Sequence, residues 1–374
     1  MGSECGAPIN VFVHLAAGLD AKLWQARREN KTLIGINHDP SPYGYARAEE
    51  MGCLVKFASC PRETPLTKVH RLSLRVLLGF DYVHAVRNID AILASDVVWT
   101  HTESQFLAIA VLLKRRRQSR GHPKLIGQAV WLLDRWPHLS PLHRKLYSSL
   151  VAELDALIVH SPKNYSLARS YFPGTRVELV LFGIPNEEYV PVTDRDTQPI
   201  NVLGVGNDRD RDWKTAIAAL GNQDDIRLKI VSTTAKQSLA MGNRNVEIVR
   251  LRNNEQLRQL YNDASVALIP LKDNHHASGI TVMQEAALLG VPIIATDTGG
   301  LRAYFDDTAV KYVPLSDPDA ILLAVREVCS HPAEMRKLAE NAQCRATSPA
   351  LGCNSYIGRH VDLSRELLSR DIRA

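Results

Sequence analysis

The chain has 374 residues, 45% of them hydrophobic and 23% charged, which is the composition of a soluble globular protein and not of a disordered chain. This length favours two domains of about 150–200 residues each over one. The apolar runs are strand-length, far short of the ~20 residues that a membrane-spanning helix requires. No basic signal-peptide region precedes the first apolar run, and the six cysteines form no CxxC pair. We therefore expect a cytoplasmic protein with reduced thiols.

The two halves of the chain differ in charge. Residues 1–185 carry 23 Lys and Arg against 15 Asp and Glu, a net +8, and residues 186–374 carry 22 against 25, a net −3, which together give the total of +5. A basic first half predicts that this half faces an anionic partner. Nucleic acid, anionic lipid and a phosphorylated acceptor all fit this charge.

The first half alternates short β-rich runs with longer helical stretches, a pattern that indicates a parallel sheet with crossover helices. The predicted strands are Ile9–Leu15, Thr32–Asn37, Cys53–Ala58, Val97–Thr100, Lys124–Val130, Ala156–His160 and Val177–Leu181. The predicted helices are Leu19–Glu29, Leu66–Leu78, Gln105–Arg116 and Pro141–Glu153. We predict a Rossmann-like domain over residues 1–185.

A proline-rich, charged stretch over 186–199 lacks apolar periodicity and is predicted to be an interdomain linker. A second Rossmann-like domain is predicted over 200–350, and residues 351–374 are predicted to carry a final helix that crosses back to the first domain. The predicted strands are Ile200–Val205, Leu228–Ser232, Val246–Arg250, Val266–Pro270, Pro292–Thr296 and Val310–Val313. The predicted helices are Trp213–Leu220, Asn254–Asp263, Thr281–Leu289 and Asp317–Ser330. Two doubly wound domains of this kind bind ligands in the cleft at the carboxyl ends of their strands.

The motif that carries the most chemical information is Ser278-Gly279-Ile280-Thr281, which opens a predicted helix carrying Glu285. Free N–H groups at a helix N-terminus, with a glycine that permits close approach, bind a diphosphate. A carboxylate one turn into the helix accepts hydrogen bonds from ribose hydroxyls. The alternative is an ordinary strand–loop–helix with a surface glutamate.

This segment resembles the donor site of family 4 glycosyltransferases of the GT-B fold, whose pattern is E-x7-E, a G-x-P strand and a GG turn. Glu285 matches the second Glu, and Gly290, Pro292 and the Gly299-Gly300 turn also match. The first Glu of the family is absent, because position 277 is Ala. The resemblance implies that His275, His276 or Asp273 takes over a role beside the transferred sugar.

The segment from Gly206 to Lys214 resembles the G-x-R…K element of the same family. The resemblance implies that Gly206 makes the turn after a strand and that cations neutralise the β-phosphate of the donor as the glycosidic bond breaks. Lys214 is the preferred candidate, and Arg209 and Arg211 are not distinguishable by sequence. A solvated charged loop is the alternative.

In the first domain, Gly18 follows the first strand and is a candidate for close approach to a ligand. An inverting reaction needs a carboxylate that deprotonates the acceptor hydroxyl, and Asp134, Glu103 and Asp39 are the candidates. Asp39 precedes a polar aromatic loop, 41–45, that suits a saccharide acceptor. A retaining reaction needs no such base, and each of these residues has a structural alternative.

Two basic segments predict contact with a membrane surface. Residues 64–80 lack acidic side chains and alternate Leu and Val with Lys, His and Arg, and residues 114–120 form a second basic run. Basic amphipathic helices bind anionic lipids, whereas packing against the protein core is the alternative. Because these segments lack interleaved aromatics and no nucleic-acid module is present, we expect no nucleic-acid partner.

The sequence as a whole predicts a nucleotide-sugar-dependent glycosyltransferase of the bacterial exopolysaccharide type, with a UDP-sugar favoured over GDP-mannose. Its acceptor is predicted to be a saccharide or lipid-linked, and the protein to lie at the cytoplasmic face of the membrane. A nucleotide-sugar epimerase of the same fold and a non-catalytic nucleotide-sugar-binding scaffold are the alternatives. We expect no metal, and we interpret the DxD-like spacing of Asp208 and Asp210 as coincidence.

Overall fold

A computed structural model describes residues 7–35, 39–116 and 122–372 of the chain, with the side chains of 371 and 372 excluded. The chain forms two compact units. Unit 1 consists of Met1–Ala26, Asp39–Leu181 and Asn354–Ala374, and unit 2 of Arg27–His38 and Phe182–Cys353.

Unit 1 is built on a six-stranded parallel sheet with the strand order β2-β1-β3-β4-β5-β6. The strands are β1 (Ile9–His14), β2 (Cys53–Phe57), β3 (Val97–Thr100), β4 (Lys124–Gln128), β5 (Ala156–Val159) and β6 (Val177–Leu179). Strands β3 and β5 are buried throughout, as expected for parallel strands covered on both faces.

Helices cover the unit 1 sheet. They are α1 (Ala21–Glu29), α2 (Pro65–Leu78), α3 (Tyr82–Arg87), α4 (Ile89–Leu93), α5 (Glu103–Lys114), α6 (Leu132–Arg135), α7 (Pro141–Val151) and α8 (Pro162–Tyr171), with 3-10 helices at Pro42–Met51 and Trp136–His138. A further helix, α14 (Cys353–Ile372), packs on the same unit, where Tyr356 donates to Gln128 Oε1 at 2.8 Å and the Trp99 indole donates to Ser364 Oγ at 2.9 Å.

Unit 2 contains a second six-stranded parallel sheet with the order β12-β11-β10-β7-β8-β9. The strands are β7 (Ile200–Val205), β8 (Ile226–Val231), β9 (Val246–Val249), β10 (Val266–Ile269), β11 (Ile293–Thr296) and β12 (Lys311–Val313). The helices are α9 (Trp213–Leu220), α10 (Asn254–Asp263), α11 (Ile280–Leu288), α12 (Pro318–Ser330) and α13 (Pro332–Ala346), with 3-10 helices at Gln237–Ala240, Leu301–Ala303 and Pro349–Leu351. The predicted class of two doubly wound parallel-sheet domains is confirmed.

The strand predicted at Thr32–Asn37 is wrong where the structure describes it. Residues 32–35 are not a strand, and residues 36 and 37 lie outside the described residues. The Gly35 N–H donates to Asn254 Oδ1 at 2.9 Å instead of to a neighbouring strand. Strand β1 already pairs with β2 on one side and β3 on the other, so neither of its edges is open.

Within the described ranges, no helix is long and apolar enough to cross a membrane. The cysteines of these ranges, Cys53, Cys60, Cys329, Cys344 and Cys353, form no disulfide.

Candidate functional site

Two glycines and one arginine form a cradle at the carboxyl ends of β7 and β10. Gly206 follows β7, and Gly279, with φ +86°, precedes α11. A Cβ atom on Gly206 would lie 2.1 Å from Arg211 Nε, and one on Gly279 would lie 2.5 Å from Arg211 Nη1. The guanidinium therefore rests directly against both glycines, and we call Gly206, Arg211 and Gly279 the Arg211 cradle.

The Arg211 side chain is buried with unused hydrogen-bonding capacity. The residue is 6% exposed, and neither Nε nor Nη1 has a hydrogen-bond partner among residues 7–35, 39–116 and 122–372. Burial lowers the pKa of Arg211 to about 10, and the nearby Asp208, Tyr261 and Asp210 oppose this shift, so the group stays charged at neutral pH. A buried guanidinium with open N–H donors is suited to an anion such as a phosphate.

Asp208 joins the two loops of the cradle. Its Oδ2 accepts a hydrogen bond from Ser278 Oγ at 3.0 Å and lies 3.3 Å from His276 Nε2, while its Oδ1 accepts from the Asp210 N–H at 3.1 Å. Burial alone would raise the pKa of Asp208, but the contacts with His276, the Asp210 backbone and Ser278 hold it well below its usual range. The carboxylate is therefore ionised at neutral pH.

One group with metal-ligand spacing occurs among the described residues. Ligand atoms of Asp208, Asp210 and His276 lie within 4.8 Å of one another. Asp208 already accepts hydrogen bonds at both carboxylate oxygens, and Arg211 supplies a cation beside this group. The absence of a metal stays a prediction.

Glu285 lies on α11 and is buried, with 6% of its surface exposed. Tyr261 of α10 donates a hydrogen bond to Glu285 Oε2 at 3.3 Å. Burial, together with the Glu285 charge, raises the pKa of Tyr261 well above its ordinary value, so its hydroxyl remains a donor. Glu285 is thus an oriented carboxylate and not the surface glutamate of the alternative interpretation.

The remaining predicted donor-site residues differ in exposure. Lys214 lies on the exposed surface of α9, and Thr281 is exposed at the start of α11. Arg209 is more than half exposed and lies 3.7 Å from Asp210. His275 is half-buried and Ile280 is buried. The structure therefore groups Arg211 with the two glycines, His276 and Ser278, and the role of Lys214 stays a prediction.

A polar cavity of about 900 Å³ lies beside the start of α10 in unit 2. Its lining includes Arg28 and Lys31, at the end of α1 and just after it, and Arg252 and Arg258, just before α10 and within it. The resemblance to family 4 glycosyltransferases implies base recognition near this helix, through backbone contacts in 246–251. That assignment stays a prediction.

The unit 1 carboxylates have different environments. Asp39 is buried, pairs with Arg47 Nε at 2.6 Å and accepts from the Ser41 N–H and hydroxyl. Glu103 Oε2 accepts the backbone N–H groups of Val130 and Trp131, which fixes the loop after β4. Asp134 is half-exposed on α6. These contacts hold Asp39 and Glu103 in place, and the role of each carboxylate as a base stays a prediction.

Gly18 lies in the left-handed region, with φ +91°, and its N–H donates to Cys60 Sγ at 3.2 Å. No heavy atom lies within 4 Å of a Cβ built at this position. This statement holds for the described residues, and the close approach of a ligand to Gly18 stays a prediction.

His101, at the end of β3, is a residue that the sequence did not single out. Gln128 Oε1 accepts from the Tyr356 hydroxyl at 2.8 Å, which turns the Gln128 amide N–H₂ toward His101 Nδ1 at 3.2 Å. Burial, with smaller contributions from His160 and His360, lowers the pKa of His101 to about 3. The imidazole is therefore neutral. Its Nδ1 also lies 3.0 Å from the Tyr45 hydroxyl, and Tyr43 stacks on the ring with centroids 3.7 Å apart.

The sequence model of the family "Glycosyl transferases group 1" matches residues 211–331. This range begins at Arg211 and includes His276, Gly279 and Glu285. The D-rhamnosyltransferase WbpZ of Pseudomonas aeruginosa PAO1 is 26% identical over 243 residues, which cover 60% of this chain and 61% of that protein. The match thus spans less than two thirds of the length of this curated relative.

Two solved structures resemble nearly the whole chain. Sucrose-phosphate synthase from Thermosynechococcus elongatus aligns with a TM-score of 0.72 at 18% identity, covering 96% of this chain and 100% of that one. HepE of Anabaena, in complex with UDP-glucose, aligns with a TM-score of 0.65 at 13% identity, covering 97% and 100%. The GT-B fold is therefore confirmed, and with the family match it supports a glycosyltransferase.

Proposed function

We propose that this protein transfers a hexose-type sugar from a nucleotide-sugar donor to a saccharide or lipid-linked acceptor in glycan biosynthesis. The observation that carries the proposal is the Arg211 cradle, in which a buried guanidinium with open N–H donors lies between two glycines. The family match over 211–331 covers most of this cradle and Glu285. We favour a UDP-sugar because the HepE structures hold UDP and UDP-glucose.

In this proposal the donor diphosphate lies in the Arg211 cradle. Negative charge grows on the β-phosphate as the glycosidic bond breaks, so a fixed guanidinium stabilises the transition state more than the ground state. The burial of Arg211 strengthens this interaction, because water does not screen it there. Glu285 accepts the ribose hydroxyls in the same proposal, and we expect no metal.

The acceptor is proposed to bind at the carboxyl edge of the unit 1 sheet. Asp39, Tyr43 and the neutral His101 lie at this edge, and aromatic rings with polar neighbours suit a saccharide. Asp134, Glu103 and Asp39 remain the three carboxylates proposed as a base; Asp39 pairs with an arginine and Glu103 accepts backbone N–H groups. A retaining reaction would need none of them.

Helix α2 is proposed to contact an anionic membrane surface. Leu66 and Val76 are 83% and 85% exposed, and Val69 and Leu77 are also largely exposed. Arg71 does not belong to the proposed membrane-contacting surface, because it is buried and pairs with Glu63, which precedes the helix, and with Asp81, which follows it. Residues 117–120 of the second basic run lie outside the described residues.

Thermal stabilisation by a nucleotide panel tests the donor assignment. The panel contains UDP, GDP, UDP-glucose, UDP-glucuronate, UDP-N-acetylglucosamine and GDP-mannose, measured on wild type and on Glu285→Ala. A ligand that binds only the folded protein raises its melting temperature by mass action. We expect one nucleotide family to stabilise wild type and to stabilise the variant much less.

The same panel separates the alternatives. If no nucleotide stabilises the protein, the glycosyltransferase proposal loses its basis. Conversion of a bound donor without any acceptor would favour an epimerase. Binding without turnover across many acceptors would favour a nucleotide-sugar-binding scaffold.

A further inference from the structure

Two buried oxygen atoms of unit 2 lack the hydrogen bonds that buried polar atoms normally make. Asn274 and Thr298 are 3% and 1% exposed, and neither Asn274 Oδ1 nor Thr298 Oγ1 has a partner among residues 7–35, 39–116 and 122–372. Such atoms are rare in folded proteins, because each has given up its hydrogen bonds to water without replacing them. A ligand that supplies the missing hydrogen bonds would explain both.

The two residues lie at the carboxyl edge of the unit 2 sheet, on neighbouring loops. Asn274 is in the loop after β10 and Thr298 is in the loop after β11, and these two strands are paired. The Leu271 N–H, at the start of the first loop, donates to the hydroxyl of Thr296, at the end of β11, at 3.0 Å. The two loops are therefore joined where they leave the sheet.

The orientation of the Asn274 amide is fixed within its own loop. Its Nδ2 donates to the Lys272 carbonyl at 2.8 Å, which leaves Oδ1 as an acceptor without a donor. Lys272 is itself held, because its N–H and its Nζ donate to the carbonyls of Asp210 and Arg209. Ala277, later in the same loop, is 7% exposed and has no hydrogen-bonding group in its side chain. Asn274 is thus placed to accept from a hydroxyl group.

The position of these loops relative to the Arg211 cradle indicates which part of a donor they would meet. In the sheet order β12-β11-β10-β7-β8-β9, β10 and β11 lie one and two strands from β7, or about 5 and 10 Å. On the proposed function the diphosphate lies in the cradle. If the nucleoside extends toward the start of α10, which follows β9, the sugar extends the other way, toward the loops after β10 and β11.

We propose that Asn274 and Thr298 bind hydroxyl groups of the transferred sugar and so determine which sugar the donor carries. Asn274 Oδ1 accepts a hydrogen bond, and Thr298 Oγ1 donates or accepts one, as the hydroxyls of a hexose also do. Both oxygen atoms are enclosed, so the loops shift when the sugar enters. The inference rests on the proposed function, because the sugar is that of the nucleotide donor.

Calorimetric titration with UDP and with UDP-glucose isolates the contribution of the sugar, as the ratio of the two dissociation constants. UDP-glucuronate or UDP-N-acetylglucosamine replaces UDP-glucose if it stabilises wild type more strongly in the nucleotide panel, and GDP with GDP-mannose is used if the panel selects guanine. Thr298→Val removes the hydroxyl at nearly constant volume, Thr298→Ser retains it, and Asn274→Ala removes the amide.

Thr298→Val and Asn274→Ala should each weaken UDP-glucose binding by about three- to tenfold and leave UDP binding unchanged. Thr298→Ser should behave like wild type. Thr298→Val should also melt no lower than wild type, because its hydroxyl has no partner within the described part of the chain.

Asn243→Ala is the matched control for Asn274→Ala. Asn243 Nδ2 also donates to the carbonyl two residues earlier, that of Met241, but Asn243 precedes β9 and so lies at the opposite edge of the sheet. This variant should change neither affinity.

The outcomes separate this inference from the proposed function. Equal ratios in wild type, Thr298→Val and Asn274→Ala would overturn it but leave the donor site intact. A loss of UDP affinity as large as that of UDP-glucose would also overturn it, since the two residues would then act on the nucleotide. A lower melting temperature of Thr298→Val with the wild-type ratio would assign the hydroxyl to the fold instead. No binding of any nucleotide to wild type would remove the proposed function as well. If Asn274→Ala does not fold, Thr298→Val and Thr298→Ser decide the question.

Discussion

The Arg211 guanidinium depends on the absence of side chains at two positions. A Cβ on Gly206 or Gly279 would come within 2.5 Å of guanidinium nitrogens, and both glycines have positive φ. A larger residue at either position would push the guanidinium out of the space we assign to the phosphate. Because the clash is with a functional group, its cost should appear in ligand affinity more than in stability.

Gly279→Ala tests this point, with Gly242→Ala as the matched control. Both glycines have φ +86°, so alanine is strained equally at each, but no heavy atom lies within 4 Å of a Cβ at Gly242. Gly242→Ala should lose about 1 kcal/mol of stability, and Gly279→Ala should lose more, because its Cβ would also lie 2.7 Å from Ile269 Cγ2. Only Gly279→Ala should weaken UDP binding, by at least about tenfold. Equal affinities in the two variants would contradict the position of the cradle.

The sequence does not show which of Lys214 and Arg211 lies against the two glycines. Both lie within nine residues of Gly206, and the family pattern favoured Lys214. The Arg211 backbone forms a bridge with Leu271, which brings its side chain inward, whereas Lys214 falls on the outward face of α9. A contact between residues 60 positions apart is not encoded in local spacing.

At the scale of elements, Arg195 ties the linker segment to two helices of unit 2. Its Nη1 donates to the carbonyls of Tyr261 and Ala264 at 2.8 Å, and its Nε and Nη2 donate to those of Gly290 and Leu289. The last carbonyls of a helix have no partner within the helix. One guanidinium thus caps the carboxyl ends of α10 and α11, the helices that carry Tyr261 and Glu285.

Replacement of Arg195 by Ala should therefore destabilise unit 2. We expect a loss of about 2–3 kcal/mol, since hydrogen bonds from a charged donor to several carbonyls are removed together. Arg195→Lys retains the charge but not the planar fork, and should lie between wild type and Ala. Urea unfolding followed by Trp213 fluorescence in a variant that lacks the other tryptophans measures this change. An unchanged midpoint for Arg195→Ala would contradict the capping role.

The exposed apolar side chains of α2 make membrane contact testable. Leu66→Asp with Val76→Asp should reduce binding to vesicles rich in phosphatidylglycerol by at least about tenfold, because each buried aliphatic side chain contributes about 1.5–3 kcal/mol. Leu323→Asp with Met241→Asp is the control, since these side chains are 66% and 77% exposed in unit 2. Equal flotation of the two double variants with vesicles would contradict a membrane role of α2.

The bounds of helices were predicted correctly where the apolar periodicity and the capping residues of the sequence agreed. Trp213–Leu220 and Asn254–Asp263 have the predicted bounds, and in each an Asp or Asn side chain accepts an N–H of the first turn. The helices α3 and α4 were missed because six and five residues are too short to show a helical period. The strand predicted at Thr32–Asn37 is absent over 32–35, where the Gly35 N–H donates to the side chain of Asn254 and not to a neighbouring strand.

At the scale of the whole molecule, unit 1 buries several histidines in neutral form. Burial lowers the pKa of His14 well below its usual value, with a further effect of His84, and it also lowers that of His84. The pKa of His101 falls to about 3 and that of His360 to about 4, burial being the main cause in both. The unfolded chain, where histidine titrates near 6.5, binds more protons than the folded chain below that pH.

Unit 1 should therefore lose stability as the pH falls from about 6.5 toward about 4, by up to about 1.4 kcal/mol per pH unit for each such histidine. His14→Phe should reduce this slope, because neither ring nitrogen of His14 has a hydrogen-bond partner that Phe would forfeit. His331→Asn, at an exposed position, is the control. Tryptophan fluorescence reports on unit 1, which contains Trp24, Trp99, Trp131 and Trp136. A slope that His14→Phe leaves unchanged would contradict this assignment.

The fold of the whole molecule followed from the alternation of strands and helices, and the strand–loop–helix pattern predicted that Gly279 precedes a helix that carries Glu285. The contacts of His101 in unit 1 could not be predicted from the sequence. No spacing rule links His101 to Gln128 and Tyr356, which are 27 and 255 residues away. That network forms only when the strands of unit 1 and α14 pack together.

The central claim is that unit 2 binds a nucleotide sugar through Arg211. Calorimetric titration of UDP into wild type, Arg211→Gln and Lys214→Gln tests it most directly. We predict that Arg211→Gln weakens binding by about 30-fold or more, as expected for loss of a buried charged donor, and that Lys214→Gln changes it by less than about threefold. Binding that survives in Arg211→Gln and is lost in Lys214→Gln would contradict the account, as would the absence of nucleotide binding to wild type.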